Sequence, residues 1–420
     1  MKTECIGIIG LGYVGLPLMA NLNRSFDVKG YDIDARKIAN LMSSVDLTGS
    51  IDNENLKKLK TKVFDQIEEL KDCSVFIVTV PTPIDSNFNP DLNALKLACQ
   101  KLSKLLKIND LVVFESTVYP GTTEEICVPL LEESGLSYNV DFSVGYSPER
   151  VNPGDKNQTV DKIVKIVSAS NPIALQKVKS IYLKVTTAGI HEAAEIKIAE
   201  AAKLIENVQR DVNIALINEI TKTLNQIGVD IHETLNAAAT KWNFQKFVPG
   251  LVGGHCIGVD PYYLTNKAQK MGVHAELVLA SRRINEGMPK YFVDRILRYS
   301  QLNRKNAKIN SVLLMGFTFK ENCPDIRNTK MHAVYEEFCA LNAVVDIVDP
   351  ICDPNDALKH YGVDVLKCVP NKMYDVVFCG VSHDIFMSGD FKRINKFLVK
   401  DGIVFDLKSI LPNGKNIIRV

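Results

Sequence analysis

Cys256 is the residue whose surroundings point most directly to chemistry. It lies in the loop Gly253-Gly254-His255-Cys256, and the N-terminal run Gly10-Leu11-Gly12-Tyr13-Val14-Gly15 has the spacing of a dinucleotide fingerprint. A nicotinamide enzyme that oxidises an alcohol only to the aldehyde needs no thiol. A thiol nucleophile can hold the aldehyde as a thiohemiacetal for a second oxidation. The combination therefore predicts a two-step oxidation from alcohol to carboxylate.

The fingerprint lies in the context that a dinucleotide site requires. It follows the apolar residues 6–9 and precedes a helix that begins near Leu16, and a second strand at 28–31 leads to Asp32. Glycines permit a tight turn and close approach of a pyrophosphate, and the start of the helix offers N–H groups. A carboxylate about 20 residues beyond the glycines binds ribose hydroxyls and repels a 2′-phosphate, so NAD is favoured over NADP. A strand–helix turn with a solvated Asp32 is the alternative.

Lys203 and Asn207 stand four residues apart in a long helical pattern, so their side chains project from the same face. A lysine that faces a nicotinamide site can act as a base or stabilise an oxyanion, and an amide can bind the same oxygen. The pair is therefore a candidate for the alcohol-oxidising step. The alternative is a solvated lysine on an amphipathic helix.

Two carboxylates complete the candidate catalytic groups. Asp260, four residues after Cys256, is placed to accept a proton through water or to orient a lysine. Glu149 follows a strand end in Ser147-Pro148-Glu149-Arg150, and it is a candidate for activating the water that cleaves a thioester. His255 is not assigned as the base for the thiol, because neighbouring side chains of an extended loop point apart. A surface turn at Glu149 and a buried, unreactive Cys256 are the alternatives.

Composition and charge exclude several classes of protein. The 420 residues are 46% hydrophobic and 24% charged with a formal net charge of +1, which predicts two or three globular domains and argues against nucleic-acid or acidic-membrane binding. No apolar run approaches the roughly 20 residues of a membrane span and no signal peptide is visible, so a cytoplasmic protein is expected. The 10 cysteines are spread singly, as reduced thiols are, and no metal site is indicated.

The first third of the chain alternates apolar runs with helical stretches, which predicts an α/β fold with a parallel, doubly wound, Rossmann-like sheet. Three of its strands end at polar segments, namely Pro81-Thr82-Pro83, Glu115-Ser116-Thr117 and Ser147-Pro148-Glu149. Ligands of such sheets bind beyond the carboxyl ends of the strands, where these segments fall.

The centre of the chain reads as helical. From His191 to about Ile227 apolar residues recur every three or four positions without Pro or Gly, which predicts one long helix that joins domains or packs against a second subunit. Further helices are predicted at 232–239, 261–271 and 275–300, and a linker at 303–308.

The last third reads as a second α/β unit, with strands predicted at 312–315, 344–348, 376–379 and 403–405. Its first strand leads into Gly316-Phe317-Thr318-Phe319-Lys320, and Asp325-Ile326-Arg327-Asn328 follows. Loops with Lys and Arg beyond a strand suit a diphosphate or a uracil-bearing ligand, and they suit a solvated surface equally well. The unit lacks a G-x-G-x-x-G run, so no second dinucleotide is assigned to it.

Taken together, the motifs resemble the UDP-sugar 6-dehydrogenase family over nearly the whole chain. The motifs in the family's order are Gly10-x-Gly12-x-x-Gly15, Pro81-Thr82-Pro83, Ser116-Thr117-Val118, Lys203-x-x-x-Asn207, Gly253-Gly254-His255-Cys256 with Asp260, and Gly316-Phe317-Thr318-Phe319-Lys320. The resemblance implies an NAD-binding Rossmann domain at 1–190, a central helical dimerisation domain with the catalytic Lys and Cys at 191–302, and a UDP-binding α/β domain at 303–420. It also implies a homodimer that binds a UDP-sugar and NAD.

The resemblance implies a role for each site residue. Cys256 would be the nucleophile and Lys203 the base or electrostatic group, and Asn207 would stabilise the oxyanion. Asp260 would work with a catalytic water, and Glu149 would assist thioester hydrolysis. Residues expected at the cofactor are Gly10, Gly12, Tyr13, Val14, Gly15, Asp32, Lys37, Thr82, Thr117 and Arg327. Residues expected at the substrate are Glu149, Arg150, Lys203, Asn207, Gly250, Gly253, Gly254, Phe319 and Lys320. Many members carry an Arg where this chain reads Asp406-Leu407-Lys408-Ser409, so that diphosphate contact is open or is made by Lys408.

Two segments, 147–154 and Lys241-Trp242-Asn243-Phe244, resemble the branch of the family that acts on UDP-N-acetylhexosamines. This implies a four-electron oxidation at C6 of UDP-GlcNAc or UDP-GalNAc to the uronic acid, for bacterial capsule or O-antigen polysaccharide. UDP-glucose and UDP-N-acetylmannosamine are the alternative substrates. Two other classes compete, a hydroxyacid-type dehydrogenase and a non-catalytic nucleotide-sugar sensor. The first needs neither Cys256 nor a second α/β domain, and the second has little reason to keep the candidate catalytic groups together.

Overall fold

The computed structural model describes residues 4–46, 49–151, 160–305, 308–412 and 414–420. The chain divides into two units, one made of Met1–Glu206 with Tyr262–Val273 and the other of Asn207–Pro261 with His274–Val420. Residues 152–154 of the predicted branch segment and residues 306–307 of the predicted linker lie outside the described residues. The three-part division at 190 and 302 stays a prediction.

The described part of the first unit is built on a sheet of eight strands in the order β3-β2-β1-β4-β5-β6-β7-β8. The strands are β1 (Cys5–Ile9), β2 (Asp27–Tyr31), β3 (Val63–Phe64), β4 (Val75–Val78), β5 (Leu111–Phe114), β6 (Ser143–Tyr146), β7 (Lys165–Ala169) and β8 (Ile190–Glu192). The first six are parallel in the 3-2-1-4-5-6 order of dinucleotide-binding sheets. The predicted Rossmann-like sheet is confirmed, and β4 and β5 are buried along their whole length, as strands covered on both faces must be.

One strand departs from the parallel pattern. β7 pairs antiparallel with β6, with Gly145 opposite Ala169 and Tyr146 opposite Ser168. Parallel neighbours need a crossover connection, whereas an antiparallel strand does not. The reversal has a consequence for the site. Lys165, the first residue of β7, lies at the edge of the sheet where β5 and β6 end.

Helices surround the first sheet: α1 (Gly15–Leu22), α2 (Ala35–Met42), α3 (Asn53–Leu59), α4 (Asn93–Ser103), α5 (Val128–Glu132) and α6 (Pro172–Tyr182). Side-chain caps set the starts of α2 and α6. The Asp34 side chain accepts the N–H groups of Arg36 and Lys37 at the start of α2, and Asn171 caps α6 ahead of Pro172. Short 3-10 segments occur at Ile67–Leu70, Val160–Lys162 and Asp390–Phe397, and a π-helical turn at Thr123–Cys127.

The central helices are α7 (Ile196–Gln226), α8 (Ile231–Ala238), α9 (Asp260–Lys270), α10 (Glu276–Glu286) and α11 (Met288–Asn303). The predicted long helix is present as α7, although its start falls at Ile196 because Ile190–Glu192 forms β8. The prediction of one helix over 275–300 is wrong. Two helices meet at Gly287. Pro289 lies in the first turn of the second helix, where a residue without a backbone N–H is tolerated.

The second unit contains a sheet of six described strands in the order β11-β10-β9-β12-β13-β14. The strands are β9 (Ser311–Met315), β10 (Val344–Val348), β11 (Val365–Leu366), β12 (Tyr374–Cys379), β13 (Leu398–Asp406) and β14 (Ile417–Arg419), and the helices are α12 (Lys330–Ala340), α13 (Pro354–Tyr361) and α14 (Asp384–Ser388). All its pairs are parallel, and numbered within the unit the order is again 3-2-1-4-5-6. The predicted second α/β unit is confirmed.

Among the described residues, no helix combines the length and the apolar character that crossing a bilayer demands.

Candidate active site

The turn after β1 has the backbone of a pyrophosphate-binding loop. Gly10 has a φ of +94°, and a Cβ at Gly15 would lie 1.9 Å from the carbonyl oxygen of Gly10. Both glycines are therefore required by the chain's own packing. No atom lies within 4 Å of the position that a Cβ would take at Gly12. Gly12 thus faces open space, where a glycine lets a pyrophosphate approach the backbone.

Asp32 and Lys37 lie together at the end of β2. One oxygen of the buried Asp32 carboxylate accepts the N–H of Leu11 at 2.8 Å, and Lys37 Nζ donates to the same oxygen at 2.6 Å. The other oxygen accepts the N–H of Asp34 at 3.0 Å. The carboxylate is thus fixed beside the glycine turn, as a group that binds ribose hydroxyls must be.

Thr82 and Thr117 follow the neighbouring strands β4 and β5, and the structure joins them. Thr82 Oγ1 donates to the carbonyl oxygen of Thr117 at 2.6 Å, and Tyr263 from α9 donates to the carbonyl oxygen of Thr82 at 2.8 Å. Ser116 Oγ donates to the carbonyl oxygen of Val80 at 2.6 Å. The polar segments predicted at the strand ends therefore meet at the carboxyl edge of the sheet. The contact of Tyr263 with this edge could not be predicted from the sequence, because the two partners lie far apart along the chain.

Glu149 is the partly open end of a buried charged cluster. Its Oε1 accepts the N–H groups of Arg150 at 2.7 Å and Val151 at 2.6 Å, and its Oε2 lies 3.4 Å from Lys165 Nζ. Lys165 is also 3.1 Å from Glu115, whose other oxygen accepts the hydroxyl of Tyr182. Sequence reasoning gave Glu115 no role and did not single out Lys165. The only sequence feature that marks Lys165 is its position at the start of an apolar strand pattern.

The charges in this cluster control one another. Burial alone would raise the pKa of Glu149, but Lys165 and the two N–H donors outweigh it, and Lys203 adds to the effect, so the pKa lies below its usual range. Burial raises the pKa of Glu115. Burial acts to lower the pKa of Lys165, yet its two carboxylate partners hold that pKa above the ordinary value. The positive charge of Lys203 thus also favours the ionised form of Glu149.

Arg150 and Lys203 occupy defined positions in the first unit. Arg150 forms a 2.7 Å ion pair with Glu206 of α7 and donates to the carbonyl oxygen of Val164 at 2.8 Å. Lys203 is 7% exposed, unlike a solvated lysine on a helix surface. Asn207, one turn further along α7, belongs to the second unit.

In the second unit, the half-buried Cys256 contacts its neighbour His255. Cys256 Sγ lies 2.9 Å from His255 Nδ1, and His255 Nε2 lies 3.9 Å from an oxygen of Asp325. The expectation that these neighbouring side chains point apart is wrong. It assumed an extended loop, whereas the N–H groups of Val259 and Asp260 donate to the carbonyl oxygen of Cys256 and close a turn ahead of α9.

Asn207 and Asp260 are direct partners. Asn207 Nδ2 donates to Asp260 Oδ2 at 2.5 Å, and Asp260 is 2% exposed. The interaction orients the amide and uses one of its two N–H groups. The second N–H remains suited to an oxyanion, which is the role that the resemblance implies for Asn207.

The backbone of the cysteine loop is held by groups that sequence spacing did not reveal. Asn218 of α7 accepts the N–H of Gly250 at 2.9 Å and donates to its carbonyl oxygen at 3.0 Å. Asn218 also bonds Asn285, which donates to Asp211 at 2.7 Å. All three of these polar side chains are buried. The loop is therefore anchored from the side that faces the helices.

The other glycines of the loop lie against the turns that follow β9. A Cβ at Gly253 would lie 2.7 Å from the carbonyl oxygen of Asn328, and a Cβ at Gly254, with φ +84°, would lie 2.8 Å from the ring of Phe319. A pocket beside them is lined by Leu251, Gly253, Thr318, Phe319, Glu321, Thr329, Lys330, Met331, Gly380, Val381, Leu407 and Lys408. Two of the predicted substrate residues, Gly253 and Phe319, therefore meet at this pocket.

The cations around this pocket already have carboxylate partners. Lys408 lies 3.0 Å from Glu321, and Lys330 is paired with Glu286. Both lysines line the pocket, whereas Lys320 is absent from its described lining. Arg327 is held by both oxygens of Asp325. Its predicted contact with the cofactor stays a prediction.

The turn after β9 repeats the turn after β1 with one difference. The N–H of Gly316 donates to the carbonyl oxygen of Val348 at 2.8 Å, and the N–H of Phe317 donates to Asp349 at 2.7 Å, as Gly10 and Leu11 do in the first unit. Asp349, however, is fully buried and lies 3.0 Å from His383 Nε2. His383 and the backbone N–H groups of residues 317, 318, 351 and 352 engage both oxygens of Asp349, a fuller set of protein partners than the Asp32 carboxylate has. This difference favours the first unit for the dinucleotide.

Models of three protein-family domains match the chain. They are described as the NAD-binding, central and UDP-binding domains of the UDP-glucose/GDP-mannose dehydrogenase family, and they match residues 4–186, 197–287 and 313–413. Together these matches cover most of the chain.

Individual proteins are similar over the full length. The UDP-N-acetyl-D-glucosamine 6-dehydrogenase of Pseudomonas aeruginosa is 47% identical over 100% of both chains, and that of Salmonella typhi is 44% identical over 99% of this chain and 98% of its own. The solved structure of a UDP-D-ManNAc dehydrogenase from Pyrococcus horikoshii is similar with a TM-score of 0.85 at 30% identity, over 99% of this chain and 98% of its own.

Proposed function

The chain belongs to the UDP-glucose/GDP-mannose dehydrogenase family, and we propose that it oxidises C6 of a UDP-N-acetylhexosamine to the carboxylate with NAD. The observation that carries the substrate class is the identity of 47% and 44%, over essentially the whole chain, to two proteins named UDP-N-acetyl-D-glucosamine 6-dehydrogenase. The presence of a thiol in the glycine loop supports an oxidation that continues past the aldehyde. A uronic acid of this kind suits capsule or O-antigen polysaccharide, and the cytoplasm is the expected compartment.

The first unit fits a dinucleotide. Gly12 offers an open approach to the backbone, and the Asp32 carboxylate is fixed beside it. Gly10, Gly12, Tyr13, Val14 and Gly15 would hold the pyrophosphate, while Asp32 and Lys37 would hold the ribose. Thr82, Thr117 and Arg327 are the other proposed cofactor contacts. When bound, NAD supplies the hydride acceptor.

Lys203 and Asn207 act on the oxygen of the alcohol. In the proposed mechanism Lys203 takes the hydroxyl proton or stabilises the oxygen as it becomes an aldehyde carbonyl. The amide of Asn207, oriented by Asp260, donates to the same oxygen. Charges and dipoles aimed at a developing oxyanion are a large source of catalysis.

Cys256 makes the second oxidation possible. Its sulfur adds to the aldehyde carbon, and loss of the second hydride from the thiohemiacetal leaves a thioester. Water then attacks the acyl carbon with Glu149 and Asp260 assisting, and the C–S bond breaks to give the uronic acid and the thiol. Arg150, Gly250, Gly253, Gly254, Phe319 and Lys320 are proposed substrate contacts, with Lys408 as the candidate for the diphosphate.

The function is tested by incubating the protein with NAD and UDP-GlcNAc, UDP-GalNAc, UDP-ManNAc or UDP-glucose, while the absorbance of the reduced cofactor is followed. We expect two reduced cofactors per sugar with an N-acetylhexosamine. One per sugar would indicate a single-step dehydrogenase, and none would indicate a sensor. Cys256→Ser should form no acid, and full acid production by that variant would remove the covalent step.

UDP-N-acetylmannosamine is the second candidate substrate. The similarity to the Pyrococcus horikoshii structure, which carries that sugar in its description, favours it. It differs from UDP-GlcNAc only in the configuration at C2, so the same panel of substrates separates the two by their kcat/KM values.

A homodimer is proposed from one face of α7. Ile198, Ile205, Leu216 and Ile220 are 48%, 59%, 53% and 37% exposed. At about 100° per residue their spacings of 7, 11 and 4 place them on a single face of the helix. Exposed aliphatic rows of this kind are typical of subunit interfaces.

A further inference from the structure

We propose that Lys165 is a positioning residue for Glu149, which it holds ionised and oriented for thioester hydrolysis, and that Glu115 and Tyr182 hold Lys165 in place. The inference rests on the proposed function, since it concerns the step assigned there to Glu149. It is carried by the geometry of four side chains that reach one point from different elements. Glu115 follows β5 and Glu149 follows β6. Lys165 is the first residue of β7, and Tyr182 is the last residue of α6.

The direction of β7 creates the arrangement. Because β7 runs antiparallel to β6, its first residue lies next to the segment that leaves the carboxyl end of β6. Lys165 Nζ is consequently 3.4 Å from Glu149 and 3.1 Å from Glu115. In a sheet with β7 parallel, the same lysine would lie at the opposite edge.

The solvent exposure of their side chains indicates different roles for Glu115 and Glu149. The side chains of Lys165 and Glu115 are 1% and 0% exposed, whereas that of Glu149 is 16% exposed. Only Glu149 can therefore meet a water molecule or a substrate. Glu115 has the complementary task, because it supplies a second negative charge that keeps an ammonium stable inside the protein.

The two oxygens of Glu149 are differently engaged. Oε1 accepts two short backbone bonds at 2.6 and 2.7 Å, which fix the plane of the carboxylate. Oε2 has the long contact with Lys165 and keeps capacity to accept a further proton. The burial of Glu149 favours its neutral form, and the Lys165 ammonium is the largest of the contributions that preserve the proton-accepting form.

The water oxygen bonds to the acyl carbon of the Cys256 thioester while Glu149 takes one proton from the water. The C–S bond breaks, the sulfur leaves with the electron pair, and the proton held by Glu149 is returned to the thiolate or to solvent. Lys165 touches none of the reacting atoms. It acts by setting the charge and orientation of Glu149.

The decisive variant is Lys165→Met combined with Glu115→Gln. The wild-type cluster of two carboxylates and one ammonium carries a net charge of −1, and the double variant keeps that charge on Glu149 alone. Lys165→Met by itself leaves Glu115 buried without its counter-charge and is prone to misfolding. Lys177→Met, which removes a surface lysine paired with Glu4, is the matched control.

The measurement follows one turnover with UDP-GlcNAc and NAD across pH. Reactions are quenched with acid, and the acyl adduct on Cys256 is counted by mass spectrometry of the whole protein. In the double variant we expect the adduct to accumulate at neutral pH, hydrolysis to slow about tenfold or more, and the acidic limb of the hydrolysis rate to move to higher pH. The formation rate of the first reduced cofactor should change far less, and Lys177→Met should match the wild type.

Two reference variants separate the possible failures. If Glu149→Gln hydrolyses its adduct at the wild-type rate, the role of Glu149 in the proposed function is wrong. If Glu149→Gln accumulates adduct but the double variant keeps the wild-type rate and acidic limb, the role of Lys165 is overturned. Glu115→Gln keeps an oxygen that accepts from Lys165 and removes one negative charge near Glu149, so Lys165 stays in place and the acidic limb must not move upward. An upward shift there also overturns the proposal.

Discussion

The contact between Cys256 and His255 follows from the shape of a single turn. The turn that precedes α9 folds the loop back on itself, which brings an imidazole nitrogen to 2.9 Å from the sulfur. A histidine at that distance can take the thiol proton, and the thiolate is the nucleophilic form of cysteine. His255, which the sequence does not assign as a base, is thus the nearest titratable neighbour of the sulfur among the described contacts.

His255→Gln should therefore slow the alkylation of Cys256 by iodoacetamide at pH 7, by about tenfold, because less of the sulfur is ionised without the imidazole. The rate at Cys256 is measured by peptide mapping over a range of pH. Cys368, which is exposed, serves as the internal reference in the same samples. An unchanged pH dependence at Cys256 would show that the contact has no effect on the thiol.

A second prediction at this scale concerns Asp349. Burial acts to raise its pKa, but the hydrogen bond and charge of His383 and the N–H groups of Phe317 and Cys352 lower it to about 2. Because the folded-state pKa is depressed, the stabilisation is present above the unfolded pKa near 4 and is lost as pH falls through 2. At pH 6 it amounts to about 2 kcal/mol.

Urea unfolding between pH 2 and 6 tests this. The wild type should lose stability steeply in the lower half of that range. Asp349→Asn should be less stable at pH 6 and should show a weaker dependence on pH. Parallel curves for the two proteins would contradict the assignment.

Residue types and spacing could predict those site residues whose position depends on one turn or one helix. Gly10 and Gly15 lie in one turn, and Asp32 follows the next strand of the same strand–helix–strand unit, whose spacing is a known sequence signature. Lys165 and Asn218 could not be predicted. Each meets its partner only through the packing of another element, and neither the direction of β7 nor the approach of the cysteine loop to α7 has a signature in the spacing.

At the scale of elements, the glycines of the turn after β1 differ in what a side chain would contact, and we propose that one serves packing and another ligand binding. A Cβ at Gly15 meets the backbone of Gly10, whereas a Cβ at Gly12 meets nothing. Two residues also have separate tasks at the break between α10 and α11. Gly287 ends the first helix, and Pro289 lies in the first turn of the second. The prediction of one helix over 275–300 does not account for this break.

Gly15→Ala and Gly12→Ala should consequently differ. Gly15→Ala should destabilise the protein by about 1–3 kcal/mol, because the added methyl overlaps backbone that cannot move away. Gly12→Ala should keep the wild-type melting temperature but should weaken NAD binding, since the methyl occupies the approach of the pyrophosphate. Thermal unfolding with and without NAD, and calorimetric titration, distinguish the two. Equal loss of stability in both variants would contradict this division.

At the scale of the whole molecule, the chain contains the same strand order twice. Both sheets read 3-2-1-4-5-6 from the strand order within each unit, and each begins with a glycine turn at positive φ. The alternation of apolar runs was sufficient to predict both sheets. That alternation does not distinguish the two glycine turns, because they differ in side chains such as His383, which reaches Asp349 from the segment between β12 and α14.

The exposed face of α7 gives the prediction that belongs to this scale. Leu216→Glu, alone or with Ile205→Glu, should shift the protein from dimer to monomer by placing charge in a dry interface. Light scattering coupled to size-exclusion chromatography measures the mass. Glu219→Gln, on the same helix, is the control and should remain dimeric. A monomeric wild type would remove the proposed interface.

The pairing of Lys37 with Asp32 has a practical outcome for protein engineers. The Lys37 ammonium already stands 2.6 Å from the acid that we propose selects the coenzyme. Asp32→Ser would free the Lys37 ammonium to bind the 2′-phosphate of NADP. A single codon change is therefore a short route to a catalyst that uses the phosphorylated coenzyme.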